Sequence, residues 1–186
     1  MRRFLIVMAL LAGVPAAGAA DRDSGGDRNQ AYYTLGLTSL VVGPGGCSCD
    51  NFNLGAIAGA VGWQPIGYLA IEGTGLIGVL DQTKDGVTLR LDSGFMVSAL
   101  PMVPINRSVA IYGRVGYAET LFRASANGFN LGSSSNHDIG YGLGVQWLTT
   151  PAGVRSEVGA CLEVDRYYEK QGVKVDGATI SFIQRF

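Results

Sequence analysis

The chain has 186 residues, a formal net charge of -1 and 16 % charged residues, below the roughly 25 % of soluble domains. The near-neutral charge argues against the basic surface of a nucleic-acid-binding protein. A single histidine and three cysteines leave little material for a metal site. We therefore expect no nucleic-acid partner, no metal and no cofactor.

The first twenty residues have the pattern of a secretory signal peptide. Two arginines precede an apolar run at residues 4–14, and small residues follow it. This run is too short to span the roughly 30 Å of hydrocarbon in a bilayer, so we expect residues 1–20 to be removed. Residues 21–30 are predicted to form a flexible leader because they are polar throughout. The remaining domain is predicted at residues 31–186.

Apolar and polar side chains alternate along this domain with the two-residue period of β-strands. Alternation is clearest at residues 138–147, where every second side chain is large and apolar. We predict eight strands of about ten residues each, a length that suits a transmembrane barrel. They lie near residues 32–41, 52–63, 68–79, 87–100, 109–118, 138–147, 154–163 and 175–186.

The predicted connections alternate between long and short. The long ones lie near residues 42–52, 80–86, 119–136 and 164–174, and the short, proline-containing ones near 64–67, 101–107 and 148–153. Short periplasmic turns and longer external loops are typical of outer-membrane barrels. Lipid offers no water to backbone groups, so such a sheet must close. The predicted fold is therefore all-β: an eight-stranded antiparallel up-and-down transmembrane barrel.

Aromatic side chains fall where the strands would cross the membrane interfaces. Trp63, Trp147 and the terminal Phe186 lie at the predicted periplasmic ends, and Tyr117 and Tyr141 mark the outer ends. Amphipathic rings are enriched at both membrane interfaces. These five residues are predicted to form the two aromatic girdles.

Two segments resemble a known family. Residues 138–147, DIGYGLGVQW, with the Arg155–Glu157 pair after the next turn, resemble the penultimate hairpin of OmpA-like eight-stranded barrels, which include opacity and outer-membrane β-barrel-domain proteins. The ending SFIQRF resembles the C-terminal signal that the outer-membrane assembly machinery recognises. Its outward residues would be Ile180, Phe182 and Phe186, although Gln184 replaces the usual apolar residue.

This resemblance implies the outer membrane of a Gram-negative bacterium, with both termini in the periplasm. The lipid bilayer and the assembly machinery, through Phe186, would be partners. Because the sequence stops at the last strand, we expect no peptidoglycan-binding domain.

Charged residues recur on the predicted inner face, where an unpaired charge is costly. We expect Glu72 to pair with Arg90 or Arg114, and Arg155 and Glu157 to join one network. The inner glycines at 140, 142 and 144 either make room in a narrow barrel or line a passage. The network would be a polar filling of the lumen or a gate, and comprises Glu72, Arg90, Asp92, Arg114, Arg155, Glu157 and Glu163.

Two groups of residues suggest chemistry. His137 and Asp138 follow three serines, and serine, histidine and aspartate are the residue types of a hydrolase triad. Sequence neighbours in a glycine- and serine-rich loop, however, do not hold a rigid geometry. We therefore expect no catalysis. Cys47, Cys49 and Cys161 are an odd number for an oxidising compartment, which favours one disulfide and one free thiol.

The sequence favours a structural or surface-interaction role, with the external loops, above all 119–136, contacting a host or surface ligand. The main alternative is a small conduit for ions or small apolar solutes. An outer-membrane lipid-modifying enzyme and a soluble lipocalin-like binder are the others. The inward charges and Phe186 argue against the lipocalin, whose cavity would be apolar.

Overall fold

A computed structural model describes residues 30–44, 51–126, 129–152, 156–170 and 172–186. The predicted signal peptide and residues 21–29 of the predicted leader lie outside this range, whereas Gln30, the last leader residue, begins a strand. In the described ranges, no helix is long and apolar enough to cross a membrane. Their strands are β1 (Gln30–Pro44), β2 (Phe52–Ile66), β3 (Leu69–Leu80), β4 (Gln82–Lys84), β5 (Val87–Pro104), β6 (Val109–Ala126), β7 (Phe129–Thr149), β8 (Glu157–Lys170) and β9 (Val173–Arg185).

The strands close into an antiparallel barrel. Successive strands pair with each other except for β3 and β4, β9 pairs with β1, and β3 pairs directly with β5. The three-residue β4 continues β3 after Asp81 and pairs only with the start of β5. Eight strands therefore form the wall among the described residues, as the sequence predicted. Closure leaves the wall without the free edges that would be intolerable in lipid.

The two faces of the wall differ as expected for a barrel in lipid. On β7, Leu143 is 63 % exposed and Val145 is 37 % exposed, whereas Gln146 between Val145 and Trp147 is 6 % exposed. A soluble barrel would bury its large apolar residues and expose its polar ones. Other outward apolar residues include Leu35, Leu37, Ile71, Ile77, Phe95, Val97, Ile111, Val115, Leu162, Val164 and Ile180.

The interior contains two apolar clusters with polar residues between them. The cluster toward the β6–β7 hairpin consists of Leu40, Val42, Leu54, Ala56, Ala58, Leu76, Leu91, Met96, Ala118, Phe122, Tyr167, Tyr168 and Val175. The cluster toward the turns at 67–68 and 105–108 consists of Tyr32, Ala70, Leu100, Met102, Tyr112, Leu148, Cys161 and Ile183. We call these two ends of the barrel the hairpin end and the short-turn end.

Two predicted long loops are strands instead. β6 continues to Ala126 and β7 begins at Phe129, so most of the predicted loop at 119–136 is a paired hairpin. Likewise, β8 extends to Lys170 and β9 begins at Val173, so these two strands cover most of the predicted connection at 164–174. Beyond the lipid, both faces of a strand meet water, so pairing continues without the apolar alternation that marks the wall.

Candidate functional site

A buried arginine is at the centre of the interior. Arg114 Nη2 lies 2.6 Å from Glu72 Oε1 and 2.9 Å from Glu163 Oε1. Its Nη1 lies 3.7 Å from Asp165 Oδ2. Arg114, Glu72 and Asp165 are each at most 5 % exposed. We call these four residues the ionic layer. One guanidinium thus faces three carboxylates.

Two tyrosines from the short-turn cluster complete the layer. The Tyr32 hydroxyl donates to Glu72 Oε2 at 2.9 Å, and the Tyr112 hydroxyl donates to Glu163 Oε1. Each ring lies over a glycine on the neighbouring strand. A Cβ at Gly62 would lie 2.1 Å from Tyr32 Cζ, and one at Gly144 would lie 2.4 Å from Tyr112 Cζ. These glycines make room for the rings that position the hydroxyls.

The other inner glycines of β7 also fit against neighbours. A Cβ at Gly142 would lie 2.0 Å from Asp165 Oδ1, and one at Gly140 would lie 3.1 Å from Met96 Cε. These distances favour the packing interpretation of the glycines over a passage.

Asp165 is a member of the ionic layer that the sequence analysis missed. It follows Glu163 by two residues and therefore shares its face of β8. The signal was present in the sequence, but the predicted strand stopped at residue 163. The missing residue supplies the third carboxylate.

A second buried arginine lies nearer the short-turn end. Arg185 Nη1 is 3.5 Å from Glu157 Oε2, and Arg185 Nη2 donates to Gln146 Oε1 at 3.2 Å. Glu157 therefore pairs with Arg185, a residue that the sequence analysis did not select. The other predicted partner, Arg155, lies outside the described residues.

Arg90 and Asp92 lie away from the ionic layer, which corrects the prediction for these two residues. Leu91 pairs with Phe122 and Ser93 with Leu121, so Asp92 is an extra residue that forms a β-bulge. A bulge reverses the inward and outward faces of the strand beyond it. Leu91 consequently points inward, and the Arg90 side chain is 59 % exposed.

Asp92 instead forms ion pairs with two arginines near the hairpin end of β5 and β6. It lies 2.8 Å from Arg123 and 3.8 Å from Arg90. Both arginine side chains are more than half exposed.

The five predicted girdle residues all lie on the outer face and are about half or more exposed. Trp63 and Trp147 flank the short-turn end, opposite Ala31 and Val109. Tyr117 and Tyr141 lie further toward the hairpin end. The Tyr117 ring stacks on His137 with centroids 6.1 Å apart, and Arg166 lies 5.9 Å from the Tyr141 centroid.

The three residues of the predicted C-terminal signal also point outward. Ile180, Phe182 and Phe186 are each at least 46 % exposed. Gln184, which departs from the family pattern, accepts a hydrogen bond from the Tyr33 hydroxyl at 2.7 Å. The Phe186 ring lies 5.9 Å from the same tyrosine ring, so Tyr33 ties both positions to β1.

His137 and Asp138 lie on a regular strand and not in a loop. Because successive side chains of a strand point to opposite faces, the two residues cannot act as base and orienter for one serine. Asp138 pairs with Lys170 at 2.6 Å, and Ser135 donates to Glu119 at 2.9 Å. No Ser–His–Asp arrangement forms among the described residues here.

The β6–β7 hairpin projects beyond the apolar face. From Tyr117 to Ala126, β6 continues for about 30 Å along its axis at the rise of a β-strand. β7 pairs with β6 from Phe129 onward, but its pairing with β8 begins only at Tyr141. The other edge of β7 at 129–140 therefore has no strand partner within the described part of the chain.

An exposed group of ion pairs borders this hairpin on β8 and β9. Arg166 binds Asp176 at 2.7 Å and Glu169 at 2.8 Å, and Lys174 lies 3.0 Å from Glu169. Hydrogen bonds from Lys174 and then Arg166 lower the pKa of the Glu169 carboxyl below its ordinary value of 4.5. These charges lie beyond Val164, the last outward apolar residue of β8.

Cys161 is a buried free thiol in the short-turn cluster. Cys47 and Cys49 lie outside the described residues, so the expected disulfide stays a prediction. The described ranges contain no group of three or more His, Cys, Asp or Glu residues that could hold a metal ion.

A family comparison matches residues 6–186 to the outer membrane protein beta-barrel domain. The chain belongs to this family. Its localisation is therefore the cell outer membrane, and the outward apolar face contacts the bilayer. Comparison with curated proteins finds no match.

Solved structures show the same fold. The attachment invasion locus protein Ail of Yersinia pestis has a TM-score of 0.61 and 19 % identity, over 85 % of this chain and 99 % of Ail. Neisserial surface protein A, NspA, has a TM-score of 0.58 and 18 % identity, over 87 % of this chain and 98 % of NspA. Ail was crystallised in complex with the heparin analogue sucrose octasulfate.

Proposed function

We propose that this outer-membrane barrel is a non-catalytic surface-interaction protein that presents the β6–β7 hairpin to an extended segment of a partner protein. The observation that supports this most is the unpaired edge of β7 at 129–140. Free N–H and C=O groups along a strand edge are a template for pairing with another chain. Phe129 and Leu131, 77 % and 62 % exposed, provide apolar contacts near the tip.

The charge of the hairpin favours a protein partner over a polyanion. Between residues 119 and 136 the only charged side chains are Glu119 and Arg123, so the segment has no net charge. Ail, which is similar in fold, was crystallised with a heparin analogue. A sulfated polysaccharide would need a cluster of basic residues, and this hairpin does not carry one.

The interior supports a barrel that does not conduct. The ionic layer lies between the two apolar clusters, and its side chains are at most about one tenth exposed. We propose that this filling stabilises the barrel as a scaffold. Planar-bilayer recordings of the purified protein should then show no stable currents, and a reproducible unitary conductance would favour the conduit instead.

Shortening the hairpin tests the proposed role directly. Arg123 and Ser133 are direct register partners, so replacing residues 124–132 with Asn-Gly should close a tight turn, remove Phe129 and Leu131, and leave Phe122 in the apolar cluster. Bacteria displaying the shortened protein should lose attachment to cultured cell monolayers. Attachment to immobilised heparin should be at background for both forms. Unchanged attachment by a folded, shortened protein would contradict the proposal.

A further inference from the structure

A cavity of about 300 Å³ opens at the short-turn end of the barrel. It lies at the opposite end from the hairpin, so it is independent of the proposed surface interaction. Its wall is formed by the turns after β2 and β5 and by the last residues of β7 and β9. Short turns of outer-membrane barrels face the periplasm, so this cavity is open to periplasmic solutes.

The floor of the cavity is polar and deeply buried. Gln64, Gln146 and Arg185 all line it, and each is at most 6 % exposed. Gln64 Nε2 donates to the Gly67 carbonyl at 2.9 Å, but Gln64 Oε1 has no hydrogen-bond partner among the described residues. A buried acceptor without a donor is costly, so this oxygen requires an N–H or O–H group within the cavity.

A second guanidinium, that of Arg107, lies at the rim of the cavity. Arg107 is at the tip of the turn between β5 and β6. Asn106 Oδ1 accepts hydrogen bonds from the backbone N–H groups of Ser108 and Val109 at 2.8 and 2.9 Å, which fixes the turn. The fixed turn holds Arg107 beside the mouth. Arg185 has Glu157 as a counter-charge at 3.5 Å, so the two arginines and this glutamate leave one net positive charge.

We propose that the cavity binds a small carboxylate that carries an adjacent N–H group: an amino acid or the C-terminal residue of a short peptide. The planar fork of a guanidinium matches a carboxylate, which Arg107 and Arg185 would hold. The ligand N–H would donate to Gln64 Oε1. Met102 and Leu148 add apolar surface for the ligand side chain. The volume lies at the lower end of ligand pockets, which suits a molecule of dipeptide size.

NMR titration of the folded, isotope-labelled protein in detergent micelles with the dipeptide alanylalanine tests this site. Saturable shifts are expected at the side-chain amides of Gln64 and Gln146 and at the Ser108 backbone amide, with a Kd of about 1–10 mM. The C-terminally amidated dipeptide should not bind, because it lacks the carboxylate. No saturable shift below about 50 mM would overturn the proposal. Equal binding of the amidated form would do the same.

Two variants distinguish the site from nonspecific contact. Arg107→Ser removes an exposed side chain from the turn and should weaken binding about tenfold, the effect of losing one charged hydrogen bond. Gln64→Leu removes the acceptor and should weaken binding by a similar factor. Arg90→Ser, at the other end of the barrel, is the matched control and should bind as the wild type does. If Arg107→Ser and Gln64→Leu both bind the dipeptide like the wild type while their spectra show a folded barrel, the dipeptide does not bind in this cavity.

Discussion

Replacing Arg114 with methionine should strongly destabilise the barrel, whereas Glu72→Gln should not. Both Glu72 Oε1 and Glu163 Oε1 bind the same nitrogen of Arg114, so the two contact distances limit the separation of these oxygens to about 5.5 Å. Two unit charges at that distance repel by about 3 kcal/mol at an effective dielectric constant of ~20. Arg114 offsets this repulsion, and its loss leaves three buried carboxylates without their cation. We expect Arg114→Met to lower the free energy of unfolding by about 3–5 kcal/mol.

Glu72→Gln has the opposite electrostatic consequence. It removes one of the three negative charges, its amide oxygen still accepts from Arg114 Nη2, and its amide N–H group donates to the Tyr32 hydroxyl oxygen. The cost should stay within about 1 kcal/mol. Arg114→Met combined with Glu72→Gln should be more stable than Arg114→Met alone, because one carboxylate of the repelling pair is gone.

Urea unfolding in lipid vesicles, followed by tryptophan fluorescence and by the heat-dependent gel mobility of the folded barrel, measures these differences. If Arg114→Met is as stable as the wild type, or if the double variant is no more stable than Arg114→Met alone, Arg114 does not stabilise the barrel by offsetting the repulsion of the carboxylates.

Three further predictions follow from other parts of the molecule. Gly144→Ala places a methyl group 2.4 Å from the Tyr112 ring and should cost about 1–3 kcal/mol, whereas Gly73→Ala, with nothing within 4 Å, should cost less than about 0.5 kcal/mol in the same urea assay. Glu169 should titrate below its ordinary pKa of 4.5, and Lys174→Met should raise that pKa in an NMR titration. The Glu169 ion pair is therefore present above the ordinary pKa and is lost as the pH falls through the lowered one, and a Glu169 pKa at or above 4.5 would contradict this. Leu143→Arg places a charge in the middle of the apolar face and should lower folding stability in vesicles by about 2–4 kcal/mol, and an unchanged stability would show that this face does not contact lipid.

The alternation of the sequence predicted the wall because lipid imposes a strict apolar face on each strand. On β7 the predicted outward residues, such as Leu143 and Trp147, are those that the structure exposes. The closed eight-stranded architecture followed from the number of such strands. The contact of Glu72 with Arg114 was one of two pairings that the inner-face charges left open.

The alternation does not predict the structure where its two-residue period is interrupted or carries no information. Nothing in it marks Asp92 as a bulged residue, so it predicts the wrong face for Arg90. The hairpin from Glu119 to Asn136 has polar residues on both faces, and its pairing depends on backbone register, which composition does not reveal. The cavity at the short-turn end also depends on how turns that are distant in sequence meet in space.

The orientation of the wall is the central claim, and depth-dependent fluorescence quenching tests it most directly. Trp63 and Trp147 are the only tryptophans in the chain, so replacing both with phenylalanine and adding Leu143→Trp gives a single reporter in the middle of the apolar face. In vesicles, lipids brominated near the ends of their acyl chains should quench this tryptophan more than lipids brominated near the headgroup. Strong quenching by aqueous iodide with no effect of brominated lipids would instead mean that this face meets water.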